Sequence, residues 1–164
     1  MASELKVDKI FNAGGDQDSG INLATNDTIK FDIATSTKAT MASTGIVTIV
    51  GEGGTVTTNL QQGLAKAWIN FNGSGTIAIR DSNNITSITD NGTGDYDITI
   101  ANDMANANYA TLFGGGEGGD ANSGGRIPNL AIQSASVMDV YCMNLANQVT
   151  DGVVQNLGFF GDLA

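Results

Sequence analysis

Residues 67–81 read AWINFNGSGTIAIRD and have the composition of two short strands joined by a turn. Residues 67–71 are rich in aromatic and β-branched side chains, which favour strands. Residues 72–75, Asn-Gly-Ser-Gly, are turn formers, and residues 76–81 return to an apolar, β-branched pattern. This stretch therefore predicts a β-hairpin.

Further strand patterns follow on the C-terminal side, each bounded by Gly, Asn or Asp. They cover residues 85–89, 96–100, 108–113, 127–133, 136–145 and 153–160. Together with the hairpin they make eight strands, and a single helical turn is predicted only at residues 102–106. Short strands with regular turn signals are typical of a β-sandwich or jelly roll, so residues 66–164 are predicted to form such a domain.

The N-terminal part of the chain carries narrower strand patterns. Period-two segments occur at residues 4–10, 21–23, 28–33 and 45–51. Each offers only two or three apolar side chains to one face, which is too few for a core within one chain. We therefore expect residues 1–51 to form a short intertwined β-rod shared by three copies, followed by a linker at residues 52–65. The predicted fold is all-β and homotrimeric.

The composition excludes several classes of function. Acidic residues number 17 against 7 basic ones, for a net charge of −10, which is the opposite of a nucleic-acid binder. No stretch approaches the roughly 18 apolar residues of a membrane span. Because the chain has no His, Ser-His, Cys-His and Zn-His sites are excluded. The lone Cys142 is predicted to be a small buried hydrophobe. We expect no enzymatic activity, no cofactor and no bound metal.

One catalytic alternative stays open, because glycoside hydrolysis needs only two carboxylates. The candidate acids are Asp81, Asp90, Asp95, Asp97 and Asp139. Most of them lie at turn-like positions, where Asp bonds neighbouring backbone amides, so that role is preferred. Aromatic side chains, Trp68 among them, could stack on sugars, but their positions in strand patterns favour packing.

Four segments between residues 63 and 109 carry a further pattern. They read GLAKAWINFNG at 63–73, TIAIRDS at 76–82, SITDNGTGDY at 87–96 and NANY at 106–109. In this order they resemble the C-terminal domain of fibre and related virion proteins of bacteriophages that infect cyanobacteria and other marine bacteria. The N-terminal SELKVDKI at 3–10 resembles the start of such subunits.

The resemblance implies a homotrimeric structural protein located in the virion. Its partners would be sister copies, a capsid or tail-adaptor protein, and a host surface glycan or protein. Relatives usually have a longer rod before this domain, whereas only about sixty residues precede it here, which favours a compact spike, a short side fibre or a capsid decoration protein. The expected function is a fibre or spike subunit; the alternatives are a capsid decoration protein and a glycan depolymerase.

Two contact regions are predicted. Fibre subunits commonly attach to the particle through the N-terminus, so the resemblance assigns virion attachment to Leu5, Val7 and Ile10; the alternative is the first strand of the rod. The Gly-rich stretch 114–125 predicts a long surface loop, where binding contacts tend to lie. Its candidate contact residues are Glu117, Asp120, Asn122 and Arg126. A solvent-exposed spacer and an insertion between subunits are the alternatives.

Overall fold

A computed structural model describes the chain in six ranges. These are residues 7–11, 19–23, 28–51, 54, 56–116 and 127–164. Across these ranges the chain forms fourteen strands and no helix, which confirms the predicted all-β class. A helix capable of crossing a membrane is accordingly not found in them. The chain divides into two compact units, Met1–Gly63 and Leu64–Ala164.

The first unit contains one six-stranded sheet in which each strand pairs antiparallel with the next. Its strands are β1 (Lys9–Phe11), β2 (Gly20–Asn22), β3 (Thr28–Ile33), β4 (Ser36–Ala42), β5 (Val47–Val50) and β6 (Thr57–Asn59). The predicted linker, residues 52–65, therefore contributes a strand to this sheet.

Strand β4 was not predicted, because its sequence STKATMA has small and polar side chains where large apolar ones would mark a strand. It is formed by a tight turn from β3. Ala34 and Thr35 at this turn have φ angles of 50° and 60°, in the left-handed region. This is the conformation of a two-residue hairpin turn, which Asn-Gly would have signalled and Ala-Thr does not.

The second unit consists of two four-stranded sheets. Its strands are β7 (Ala67–Asn72), β8 (Ala78–Asn83), β9 (Ile85–Gly92), β10 (Asp95–Ile100), β11 (Ala110–Gly116), β12 (Ile127–Gln133), β13 (Val137–Met143) and β14 (Val154–Phe160). The strand orders are β11-β14-β7-β8 and β12-β13-β10-β9. Three pairs of consecutive strands, β7-β8, β9-β10 and β12-β13, form hairpins that each lie within a single sheet. In a jelly roll, most consecutive strands instead alternate between the two sheets.

The two sheets of the second unit share one hydrophobic core. One sheet contributes Ala67, Ile69, Phe71, Leu157 and Phe159, and the other contributes Tyr96, Ile98, Ile100, Met138, Val140 and Cys142. The rings of Phe71 and Tyr96 meet edge to face across the core, with their centroids 5.2 Å apart. Cys142 is fully buried, as its sequence context predicts. A single copy of this unit thus has a complete sandwich core.

The helical turn predicted at residues 102–106 is absent. Met104 is instead buried and forms an isolated β-bridge with Leu163, and its amide donates to the Ala135 carbonyl at 2.9 Å. Burial of the Met104 side chain against the core, rather than local helix propensity, decides the conformation of this segment.

The turn before β10 is fixed by close backbone contacts. The Gly94 amide donates to Asp151 Oδ1 at 2.7 Å, and the Gly94 carbonyl accepts from the Cys142 amide at 2.7 Å. The Tyr96 hydroxyl donates to the Gly73 carbonyl at 2.5 Å. Burial, and then the Asp151 carboxylate, raise the pKa of Tyr96. These bonds join three loops at one end of the sandwich.

Candidate functional site

The predicted contact residues are only partly within the described ranges. Leu5 and the four loop residues, Glu117, Asp120, Asn122 and Arg126, lie outside them. Val7 precedes β1 and is 37% exposed. Ile10 lies in β1 and pairs with Ile21, so it takes part in the sheet of the first unit.

The strand register of the first unit gathers apolar side chains on one face. Directly paired residues of an antiparallel sheet point to the same side. One row of paired residues crosses all six strands, and a parallel row crosses three. The rows are Ile10, Ile21, Phe31, Ala39, Ile49 and Thr58, and Ile29, Met41 and Val47. We call these nine residues the apolar face.

The apolar face is open to solvent in the single chain. Ile10, Ile29, Phe31 and Met41 each expose between 39% and 49% of their surface. In the described part of Met1–Gly63 no residue reaches the buried class, so this sheet has no second layer there. Soluble proteins rarely leave a contiguous apolar surface of this kind uncovered, because its burial is strongly favourable.

The opposite face of the same sheet is mostly polar, with Phe11 and Val50 as apolar members. Its central row comprises Lys9, Asn22, Lys30, Thr40, Thr48 and Asn59. Asp32 accepts hydrogen bonds from Thr37 Oγ1 at 2.7 Å and from Asn22 Nδ2 at 3.2 Å. These bonds hold the pKa of Asp32 below its usual value. The sheet is therefore amphipathic, with one face suited to water and the other suited to burial.

The second unit carries a different cluster, made of three of the five candidate acids. Asp97 lies directly opposite Asp139, and Asp95 lies opposite Tyr141, on the outer face of adjacent strands β10 and β13. They line an open depression of about 400 Å³ with Asn91, Ser134 and Val137. Among the described residues, no group of three or more Asp, Glu, Cys or His side chains has an arrangement that could hold a metal ion.

Of the other two candidate acids, only Asp90 has the turn-forming role that the sequence favours, because Asp81 lies within strand β8. Asp81, on β8 of the other sheet, accepts from the Ser82 amide at 2.9 Å. Asp90 accepts from the Gly92 amide at 3.0 Å. Asp90 pairs with Tyr96 on β10 and Asp81 pairs with Asn70 on β7, so strand pairing places neither of them opposite Asp95, Asp97 or Asp139.

The acidic cluster is electrostatically strained. Among the described residues, one oxygen each of Asp95 and Asp139 is buried without a hydrogen-bond partner. Partial burial, and then the charges of Asp95 and Asp97, raise the pKa of Asp139. The charge of Asp95, together with its hydrogen bond to the Tyr141 hydroxyl, raises the pKa of Tyr141.

Asp139→Asn is expected to stabilise the second unit at neutral pH. A raised carboxyl pKa means that the folded state binds the proton more tightly, so stability falls as the pH rises from about 4 through the folded-state pKa. Removing one of two directly opposed like charges is worth about 0.5 kcal/mol, or roughly 2 to 4 °C in Tm. Thermal unfolding at pH 7 measures the expected increase in Tm. At pH about 3, below the unfolded-state pKa of Asp, the increase should disappear.

Asp103→Asn is the matched control for this variant, because it makes the same charge change at an exposed position outside the cluster. It should leave the Tm nearly unchanged at both pH values. A decrease in Tm for Asp139→Asn at pH 7 would show that the Asp139 carboxylate is stabilising and that the repulsion described here is wrong.

Comparisons with known proteins give one weak similarity. No family model and no curated protein matches the chain. A solved structure, the phiAB6 tailspike in complex with three-repeated oligosaccharides of Acinetobacter baumannii surface polysaccharide, is similar with a TM-score of 0.49 and 12% identity. The match covers 72% of this chain and 23% of the tailspike chain, so this chain spans about a quarter of that protein's length. A similarity at this level does not establish a shared function.

Proposed function

We propose that this chain is a structural subunit of a bacteriophage particle. In this proposal three copies join through the N-terminal sheet, and the C-terminal sandwich contacts the host surface. The single observation that carries the proposal is the apolar face, which no layer covers within the described part of the first unit. Assignment to a phage fibre or spike is supported by the resemblance of the segments between residues 63 and 109.

Sister copies are the occupant that best fits the apolar face. The face crosses all six strands and is built mainly from Ile, Val, Met and Phe, with one Ala, one Thr and no charged residue in either row. Such a surface gains its stability from another apolar surface of the same chemistry, and a second copy supplies one. The number of copies, three, is taken from the resemblance and from the small number of apolar side chains that each N-terminal strand presents to one face.

A role as a capsid decoration protein uses the same fold and the same assembly, and differs in position on the particle. Gold-labelled antibody raised against the second unit, applied to purified particles, separates the two. We expect label on the tail. Label on the head alone would favour the decoration role, and particles that carry no label at all would contradict both.

We also propose that the protein is not an enzyme. This is supported by the lack of His and by the turn role of Asp90. Incubation with host lipopolysaccharide, followed by a reducing-end assay, tests the depolymerase alternative. Release of new reducing ends that is abolished by Asp97→Asn would overturn the proposal.

The N-terminal attachment role is tested by removing residues 1–8, which leaves β1 intact. We expect the truncated protein to assemble and fold as before but to lose binding to particles, because the segment before the sheet makes the contact. A chain in which residues 1–8 are replaced by Gly and Ser controls for length. Co-sedimentation with particles measures binding, and binding of the truncated protein at the full-length level would refute the attachment role.

A further inference from the structure

Trp68 points away from the core of the sandwich. Its neighbours in β7, Ala67, Ile69 and Phe71, are almost completely buried, whereas Trp68 is 36% exposed on the outer face of the sheet. Packing was the expected role of this side chain. Leaving part of a large indole in water sacrifices burial energy that an inward position would have supplied.

A glycine and an exposed leucine are the neighbours of Trp68 across the outer face of the sheet. Trp68 pairs with Gly158, and Gly158 pairs on its other side with Leu112, which is 63% exposed. Gly158 has no side chain, and the ring of Phe160 lies 3.4 Å from the position of a Cβ added there. The partly exposed indole and the exposed Leu112 therefore flank a position covered by the Phe160 ring.

Polar side chains occupy the next row on the same face. Asn70 Nδ2 donates to Asn156 Oδ1 at 2.5 Å, and Asn70 lies opposite Asp81 on β8. An amide has two donor hydrogens and an acceptor oxygen, so one bond between two amides uses only part of their capacity. The row thus offers amide and carboxylate groups next to an indole. We call Trp68, Asn70, Asp81, Leu112, Asn156 and Gly158 the Trp68 surface.

We propose that the Trp68 surface binds an uncharged glycan, with one sugar ring stacked on the indole and its hydroxyls bonded to Asn70, Asn156 and Asp81. A sugar ring has an apolar C–H face and a rim of hydroxyls, which matches an indole beside planar amides. The inference deepens the proposed function, on which it rests, by naming the ligand class and its site on the domain assigned to host contact.

Charge and size argue for this ligand over two others. The charged member of the surface is the acid Asp81, in a chain of net charge −10, which disfavours an acidic glycan or a phosphate. A stable protein interface buries roughly 800 Å² on each partner. The exposed large apolar side chains on the described part of this face are Trp68 and Leu112, which suit one or two sugar rings better than a protein partner.

The chain contains a single Trp, so its fluorescence reports on this surface alone. The experiment titrates the full chain with neutral, amino-sugar and uronic-acid oligosaccharides and follows the emission. We expect a saturable blue shift with neutral oligosaccharides and none with uronic acids. Asn156→Ala should weaken binding about tenfold, as expected for the loss of hydrogen bonds to the ligand. Asn91→Ala, on the outer face of the other sheet, is the matched control.

Three results would overturn the proposal. They are an emission that does not change with any oligosaccharide, unchanged binding by Asn156→Ala, and a Trp68 emission that acrylamide cannot quench in the unliganded assembly, because another copy then covers the face. Light scattering on the same samples reports assembly separately. A trimer that does not bind glycan removes only this inference, whereas a monomer removes the proposed function.

Discussion

Replacing Phe31 with Asp should convert the assembled protein into single chains. Phe31 lies between Ile21 and Ala39 at the centre of the apolar face. A carboxylate at that position would be buried without a partner in every copy, which costs several kcal/mol per copy. Because the copies share one interface, that cost is enough to prevent assembly.

The two units should respond differently to this substitution. The first unit has no buried residue in its described part and should lose its β-structure when it is no longer covered. The second unit has its own core and should keep its thermal transition. Light scattering, circular dichroism and near-ultraviolet signals from the aromatic core measure mass, strand content and folding of the second unit.

Thr40→Asp is the matched control for Phe31→Asp. It introduces the same charge into the same sheet, but on the polar face, where Thr40 lies opposite Lys30. It should assemble normally. Loss of assembly in the control, or an assembled Phe31→Asp variant, would show that the apolar face is not the contact between copies.

Gly94→Ala should destabilise the second unit by about 3 kcal/mol. Gly94 has a φ of +63°, where an added Cβ costs about 1 kcal/mol. That Cβ would also lie 2.7 Å from the Thr150 carbonyl oxygen and 2.8 Å from the Cys142 carbonyl oxygen. Both are backbone atoms fixed by strand pairing and hydrogen bonds, so neither can move away cheaply.

Gly75→Ala separates conformational strain from steric contact. Gly75 has nearly the same φ, +66°, and nothing lies within 4 Å of an added Cβ. It should cost only about 1 kcal/mol. For a unit of this size the expected fall in Tm is roughly 4 to 8 °C for Gly75→Ala and about three times as much for Gly94→Ala. Equal falls in Tm for the two variants would mean that the contacts around Gly94 do not contribute.

The sequence predicted most strands because their apolar residues are large and evenly spaced. Residues 28–33 and 127–133 form strands with the predicted bounds. Strand β4 was missed because Ala39 and Met41 alone represent its apolar side, although they complete the apolar face. The apolar stripe of each strand was predicted. The alignment of these stripes into one face depends on the register between neighbouring strands, which the pattern within a single strand does not contain.

The residues on the two outer faces of the sandwich could not be predicted from the sequence. In the segment AWINF nearly every side chain is apolar, so the pattern does not reveal that Trp68 faces outward. Asp97 and Asp139 are far apart in sequence and meet only through the register of β10 and β13. Of the other candidate acids, Asp90 bonds a nearby backbone amide at the end of β9, as the sequence favours, whereas Asp81 lies within β8.

The mass of the wild-type protein in solution shows most directly whether sister copies cover the apolar face. Each copy has a mass of 16.8 kDa. Sedimentation equilibrium at micromolar concentration should give about 50 kDa, three copies, and on dilution or in denaturant the strand content of the first unit should be lost together with the assembly. A species of one-copy mass whose N-terminal sheet is folded and cooperative would contradict the claim that sister copies cover the apolar face.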